Sequence, residues 1–285
     1  MWYHFIAIGG SAMHNLALDL VKKGNKVTGS DDEIFEPSLS RLKNAGICPE
    51  AWGWFPEKIN KQIDIVIVGM HARADNPELL KTQELGITYF SYPEFLYEHA
   101  KNKKRVVIGG SHGKTTITSM ILHVLKHAEK KFDYMVGAQI KGFDRMVSLS
   151  DDAPIMIFEG DEYLTAPFDL RPKFHLYRPH IALLSGVAWD HMNVFPTFEK
   201  YVEQFKIFVD LIEPNGTLIW YKGDDELNII ANSMRKDIKS LPYKEHAAKI
   251  ENHAAQLLVN NKKIPIRVFG NHNLQNIQGA KLVCN

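Results

Sequence analysis

The sequence predicts an α/β protein of two domains in series, and three observations predict it. The strand-like run Tyr3–Ile8 breaks into Gly9-Gly10-Ser11-Ala12-Met13 and then a helix-like segment. Val106-Val107-Ile108 does the same through Gly109-Gly110-Ser111-His112-Gly113-Lys114-Thr115-Thr116. Ile63–Val68, Ile155–Phe158 and Ile181–Leu184 are short continuous apolar runs, the pattern of parallel strands covered on both faces. The expected architecture is a Rossmann-like domain over 1–103, followed over 104–285 by a P-loop-type α/β domain with a small antiparallel β element.

Composition agrees. A length of 285 residues suits about two domains, and 45% hydrophobic with 24% charged residues is ordinary for a globular chain. A net charge of +1 gives no electrostatic case for nucleic acid or an anionic membrane. Cys48 and Cys284 form no pattern and suggest a reducing compartment. The N-terminus lacks a basic leader region and reads as a strand, and no apolar run is long enough to span a bilayer.

In the first domain, Leu16, Leu20 and Val21 mark one face of the helix after Gly9-Gly10, and Gly24 ends it. The strand Lys26–Gly29 then delivers Ser30-Asp31. An acid 21 positions after Gly10 can take a ribose hydroxyl, or can cap the next turn. The glycines do not sit as G-x-G-x-x-G. Helices are expected over Ser38–Ala45, from Asn76-Pro77-Glu78 to Gly86, and over Pro93–Ala100, with strands at Ile63–Gly69 and Ile87–Ser91. His71 falls at a strand's C-terminal end, where ligands sit in open α/β sheets. Lys101-Asn102-Lys103-Lys104-Arg105 reads as a solvated boundary loop.

The second domain opens on Gly110-Ser111-His112-Gly113-Lys114-Thr115, a shortened form of the phosphate loop G-x-x-x-x-G-K-[ST]. Such a loop aims backbone N–H groups and a helix N-terminus at phosphate. Lys114 can meet β/γ-phosphates and Thr115 can hold Mg²⁺. The helix Thr116–Ala128 should turn Met120, Ile121, Val124 and Leu125 inward. Glu159-Gly160-Asp161-Glu162 follows a buried strand, where a metal-holding acid belongs in such domains. His191, after the next strand, can be a metal ligand, a substrate contact or a partner of Asp190. Pro196–Ile212 reads as an amphipathic helix whose Lys206 borders the apolar face. Gln256–Phe269 reads as antiparallel strands around Asn260-Asn261. Gly270-Asn271-His272-Asn273 opens a last helix, with Asn273 and Asn276 on one face, suited to an adenine edge or to capping and surface roles.

Taken in order, these motifs resemble the Mur ligases, ATP-dependent amide-bond-forming enzymes of bacterial cell-wall synthesis. The resemblance covers the whole chain. The run Asp161-Glu162-Tyr163-x-Thr165-Ala166-x-Phe168-Asp169-x-Arg171-x-Lys173-Phe174 is similar to the branch that joins UDP-N-acetylmuramate to the recycled tripeptide L-alanyl-γ-D-glutamyl-meso-diaminopimelate.

The resemblance implies UDP on Gly10, Ser11 and Ala12, with Ser30, Asp31 and His71 nearby. It implies ATP on Gly110, Ser111, His112, Gly113, Lys114, Thr115 and Thr116, and adenine against His272, Asn273 and Asn276. Mg²⁺ would sit on Thr115 and Glu159, with a second on His191. Lys114, Glu159 and His191 would form the catalytic set. Lys206 would be a metal bridge only if carbamylated. The location implied is the bacterial cytoplasm.

Leu164 departs from the family run, which usually has aspartate there. Mur ligases have three domains, and the third, which takes the amine substrate, is expected to be absent from this chain, leaving ligation by it alone very low. The alternatives are the L-alanine-adding branch and a catalytically silent UDP-sugar-binding regulatory protein. A generic phosphate-loop kinase is disfavoured by the short loop.

Overall fold

The computed structural model describes residues 1–285 apart from 167, 252, 253 and 269. In chain order the elements are β1 (Trp2–Ile6), α1 (Ser11–Lys22), β2 (Lys26–Ser30), α2 (Ser38–Asn44), β3 (Ile65–Val68), α3 (Pro77–Glu84), β4 (Tyr89–Ser91) and α4 (Tyr92–Ala100). There follow β5 (Lys104–Gly109), α5 (Lys114–His127), β6 (Asp133–Met135), β7 (Val147–Ser148), β8 (Ile155–Glu159), β9 (Leu164–Ala166), β10 (Asp169–Pro172) and α6 (Lys173–Leu176). The chain continues with β11 (Ile181–Leu184), α7 (Phe198–Asp210), β12 (Thr217–Tyr221), α8 (Asp225–Ser233), β13 (Lys239–Tyr243), β14 (Ala248–Glu251), β15 (Ala254–Val259), β16 (Lys262–Ile266) and α9 (Asn271–Cys284). Among the described residues no helix is long and apolar enough to cross a membrane.

The chain divides into two compact units. The first holds residues 1–102, 133–151 and 163–177. Its sheet is parallel in the order β2-β1-β3-β4. Ile6, Ile59, Ile63, Val66, Val68, Leu79 and Ile87 form one apolar cluster in it. Full burial of each such side chain contributes about 1.5–3 kcal/mol. Local signals fix the helix starts. Asn76 accepts hydrogen bonds from the N–H groups of Glu78 and Leu79 with Pro77 at the first turn, and Ser91 makes a capping box with Glu94.

A polar stripe at four-residue spacing along α1 clasps the 146–151 segment. Asn15 Oδ1 accepts from Met146 N (3.1 Å), Asp19 Oδ2 from Leu149 N (3.0 Å), and Lys23 Nζ donates to Asp151 (2.9 Å). Leu164 lies in the β9–β10 hairpin of the same unit, opposite Pro172.

The second unit holds residues 103–132, 152–162 and 178–285. Its strands run parallel in the order β13-β12-β11-β5-β8. The edge position of β13 explains how Pro242 fits a strand there. The antiparallel element is present as β14-β15-β16, turning at Asn260 and Asn261, both with positive φ (47° and 62°). Its last strand ends at Ile266, and Phe269, the end of the expected strand region, lies outside the described residues.

Arg105 corrects the reading of 101–105 as a solvated loop. It sits inside β5, 2% exposed, with its guanidinium on Glu213 Oε1 (2.6 Å) and the carbonyl of Arg178 (2.9 Å).

Candidate active site

The phosphate loop joins β5 to α5. Gly113 caps the helix in the left-handed region (φ 80°), with no side-chain cap on the first N–H groups. Those groups are the donors such a loop turns toward phosphate. Gly110 has φ 119°, and a Cβ there would come within 2.9 Å of Ser185 N. The loop is tied down by Ser111, whose N–H donates to Gly186 O (3.0 Å) and whose hydroxyl bridges the Ala188 carbonyl and N–H (2.7 Å each). His112 and Thr116 are exposed.

The lysine is held inward. Lys114 Nζ donates to Gly110 O (2.8 Å) and to both oxygens of Glu162 (3.0 and 2.9 Å). The Glu162 side chain is 0% exposed, so this is a buried ion pair in which either charge alone would be costly. Tyr201 of α7 donates to the same carboxylate (3.1 Å). At the end of β8, Glu159 Oε1 accepts from Thr115 Oγ1 (2.7 Å).

His191 adopts a left-handed backbone (φ 53°), strain of the kind concentrated at functional sites. Its Nε2 lies 4.0 Å from Glu162 and 3.9 Å from Asp190. Ligand atoms of Glu162, Asp190 and His191 fall within 4.8 Å of one another. Carboxylates, a hydroxyl and one imidazole form a donor set that fits Mg²⁺. Thr115 with Glu159, and His191 with Glu162, are the residues that would hold it.

Glu162 is a site residue that the sequence alone does not single out. It is one of three acids at and just beyond the end of β8, and nothing in the sequence shows which of them turns under Lys114. Lys206, by contrast, is exposed on α7, as a snorkelling lysine would be. The acid beside Lys114 and His191 comes from Glu162.

From α9, Asn276 is buried (6%) with its Oδ1 2.5 Å from where a Gly113 Cβ would stand. His272 and Asn273, 3.0 Å apart through their ring and amide nitrogens, sit at the exposed start of that helix.

The first unit carries a separate cleft of about 540 Å³ at the glycine turn. Gly10, Ser11, Asp31 and His71 line it, with His14 and Ser38. Asp31 Oδ2 accepts from Gly9 N (2.6 Å). Burial is the main cause that pushes the Asp31 carboxyl up to about 6, with neighbouring Asp32 adding to it. Ser30 is not brought to the cleft. Its side chain is buried (0%), and its carbonyl accepts from the N–H groups of Ala7 and Ile8 (2.9 and 3.1 Å). Ala12 lies in the first turn of α1 and does not line the cleft. Ala7 has φ 68°, the conformation a first glycine usually supplies. The turn is therefore a variant of the dinucleotide pattern, with Ala7, Gly9 and Ala12 at its three small-residue positions. Counting glycines alone could not reveal it.

Comparison with known proteins agrees with this geometry. The Mur ligase middle domain matches residues 108–284, and the Mur ligase family catalytic domain matches residues 2–104. The Escherichia coli UDP-N-acetylmuramate–L-alanyl-γ-D-glutamyl-meso-2,6-diaminoheptandioate ligase is 30% identical over 80% of this chain and 50% of its own length. The UDP-N-acetylmuramate–L-alanine ligase of Syntrophomonas wolfei is 30% identical over 78% of this chain and 46% of its own. A crystal structure of the UDP-N-acetylmuramate:L-alanyl-γ-D-glutamyl-meso-diaminopimelate ligase from Neisseria meningitides superposes with a TM-score of 0.84 at 25% identity, covering 99% of this chain and 92% of that one. The chain spans about half the length of the curated relatives it matches. With both domain profiles matched in order and the phosphate loop, acid and histidine gathered around adjacent strand ends, the chain belongs to the Mur ligase family.

Proposed function

We propose that this chain is the nucleotide- and UDP-sugar-binding part of an ATP-dependent ligase joining UDP-N-acetylmuramate to a murein tripeptide in the bacterial cytoplasm. The observation that carries the reading is the convergence of Lys114, the Thr115–Glu159 pair and the His191–Glu162 pair around the ends of β5, β8 and β11. In this reading the N–H groups at the start of α5 and the Lys114 ammonium take the β/γ-phosphates. Thr115 and Glu159 would hold Mg²⁺, which would offset the repulsion between an incoming carboxylate and a polyanion.

The muramate's lactyl carboxylate then attacks the γ-phosphorus. A new P–O bond forms as the bond to the β–γ bridging oxygen breaks, leaving ADP and an acyl phosphate. The peptide's amine adds to the acyl carbon, inorganic phosphate leaves from the tetrahedral intermediate, and the nitrogen loses its proton. The glycine turn would place the UDP end, with diphosphate at the N-terminus of α1 and Asp31 and His71 toward the nucleoside.

The tripeptide is favoured over L-alanine by the Asp161–Phe174 run. The test is phosphate release by the full gene product from ATP and UDP-N-acetylmuramate, with either amine supplied. Release with tripeptide and not with L-alanine is the expected result. The reverse assigns the L-alanine-adding reaction, and no release with either, despite binding of both nucleotides, assigns a silent UDP-sugar-binding protein.

A further inference from the structure

Resting on the ATP-site reading above, we propose that Tyr201 is a positioning residue for nucleotide binding, its buried hydroxyl sharing the charge of Glu162, the counter-ion of Lys114. The side chain is fully buried (0%) and its ring is wedged between Phe195 and Phe205, with centroids 5.6 and 5.2 Å away. The phenol oxygen therefore has little freedom. It lies 3.1 Å from Glu162 Oε1 and 3.0 Å from Ser111 Oγ. Burial first, then the Glu162 charge, push the phenol's pKa well above its usual value, so it stays a proton donor.

Phosphates arriving at the loop must compete with Glu162 for the Lys114 ammonium, since both carboxylate oxygens hold it (3.0 and 2.9 Å). How strongly Glu162 competes depends on who else shares its charge. The Tyr201 hydroxyl takes part of it at Oε1. Without that donor the buried carboxylate leans more heavily on Lys114. This weakens nucleotide binding.

The test is equilibrium binding of ADP in EDTA, with thermal midpoints recorded for every variant. Tyr201→Phe is expected to bind about tenfold more weakly. Glu162→Gln frees Lys114 and is expected to bind about tenfold more tightly. In the Glu162→Gln background, Tyr201→Phe should change affinity by no more than about twofold. Wild-type affinity in Tyr201→Phe overturns the inference, as does the same tenfold loss in both backgrounds. If Tyr201→Phe does not fold, Glu162→Gln decides, and unchanged or weaker binding there overturns the inference. Lys114→Ala separates the two levels. If wild type and Lys114→Ala bind ADP equally, the phosphate-loop reading itself fails. If Lys114→Ala loses binding and Tyr201→Phe does not, only the present inference fails.

Discussion

Thr115 Oγ1 lies 2.7 Å from Glu159 Oε1, joining the first turn of α5 to the end of β8. The contact exists because β5 and β8 are paired in parallel, with Ile108 opposite Glu159, so the phosphate loop leaves its strand beside the acid. Thr115→Val keeps the volume and removes the hydroxyl. It should cost about 1 kcal/mol of stability. The larger effect is on Mg²⁺: a titration of ATP turnover with Mg²⁺ should show half-saturation shifted upward by at least about tenfold.

Gly113 is pressed against α9. A Cβ there would meet Asn276 Oδ1 at 2.5 Å, and its φ of 80° disfavours any side chain. Gly113→Ala should destabilise by about 1–3 kcal/mol in urea unfolding. Adding Asn276→Ala removes the collision and leaves the backbone strain, so the double variant should recover part of that loss. Full additivity would place the two residues apart.

Asp31 sets a pH dependence. Its carboxyl titrates at about 6 in the folded chain, against 3.8 for an unperturbed aspartate. The folded state therefore binds more protons between these values, and Asp31's contribution to stability falls as pH rises through that window. Asp31→Asn can still accept from Gly9 N and carries no charge to bury. Its thermal midpoint should exceed wild type at pH 7.5, with the gap closing toward pH 4.

Arg105 and Glu213 form a pair whose guanidinium is almost wholly enclosed, with side chains 3% and 30% exposed. Glu213→Ala removes the carboxylate that faces this buried cation. A loss of about 3 kcal/mol in urea unfolding is expected. Arg105→Met with Glu213→Leu should restore much of it.

Much of this was legible in the sequence, and the physical reason differs by element. Parallel strands buried on both faces announce themselves as apolar runs, so β3, β8 and β11 were readable directly. Glycine turns with Lys-Thr carry their own geometry. β13 was not readable, since Lys239-Ser240-Leu241-Pro242-Tyr243 has neither alternation nor an apolar run and is a strand only because β12 offers an edge. α8, likewise unread, is fixed by Asp224, which caps it through Leu227 N (2.8 Å) and also takes Val187 N (2.8 Å). The cap is a local signal, but the bond to Val187, 37 residues away, is not implied by local sequence. Glu162 and Tyr201 are hidden because their partners are likewise distant in sequence. Each looks like an ordinary acid or core aromatic until the fold brings 114, 162 and 201 to one point.

The most direct test of Lys114 as the phosphate-binding lysine of an amide ligase is ADP formation from ATP by the full gene product, with and without UDP-N-acetylmuramate and tripeptide, in wild type and Lys114→Ala. ADP formation is expected to require both substrates and to fall by at least about a hundredfold in Lys114→Ala. Substrate-dependent ADP formation that survives Lys114→Ala unchanged would contradict that role of Lys114.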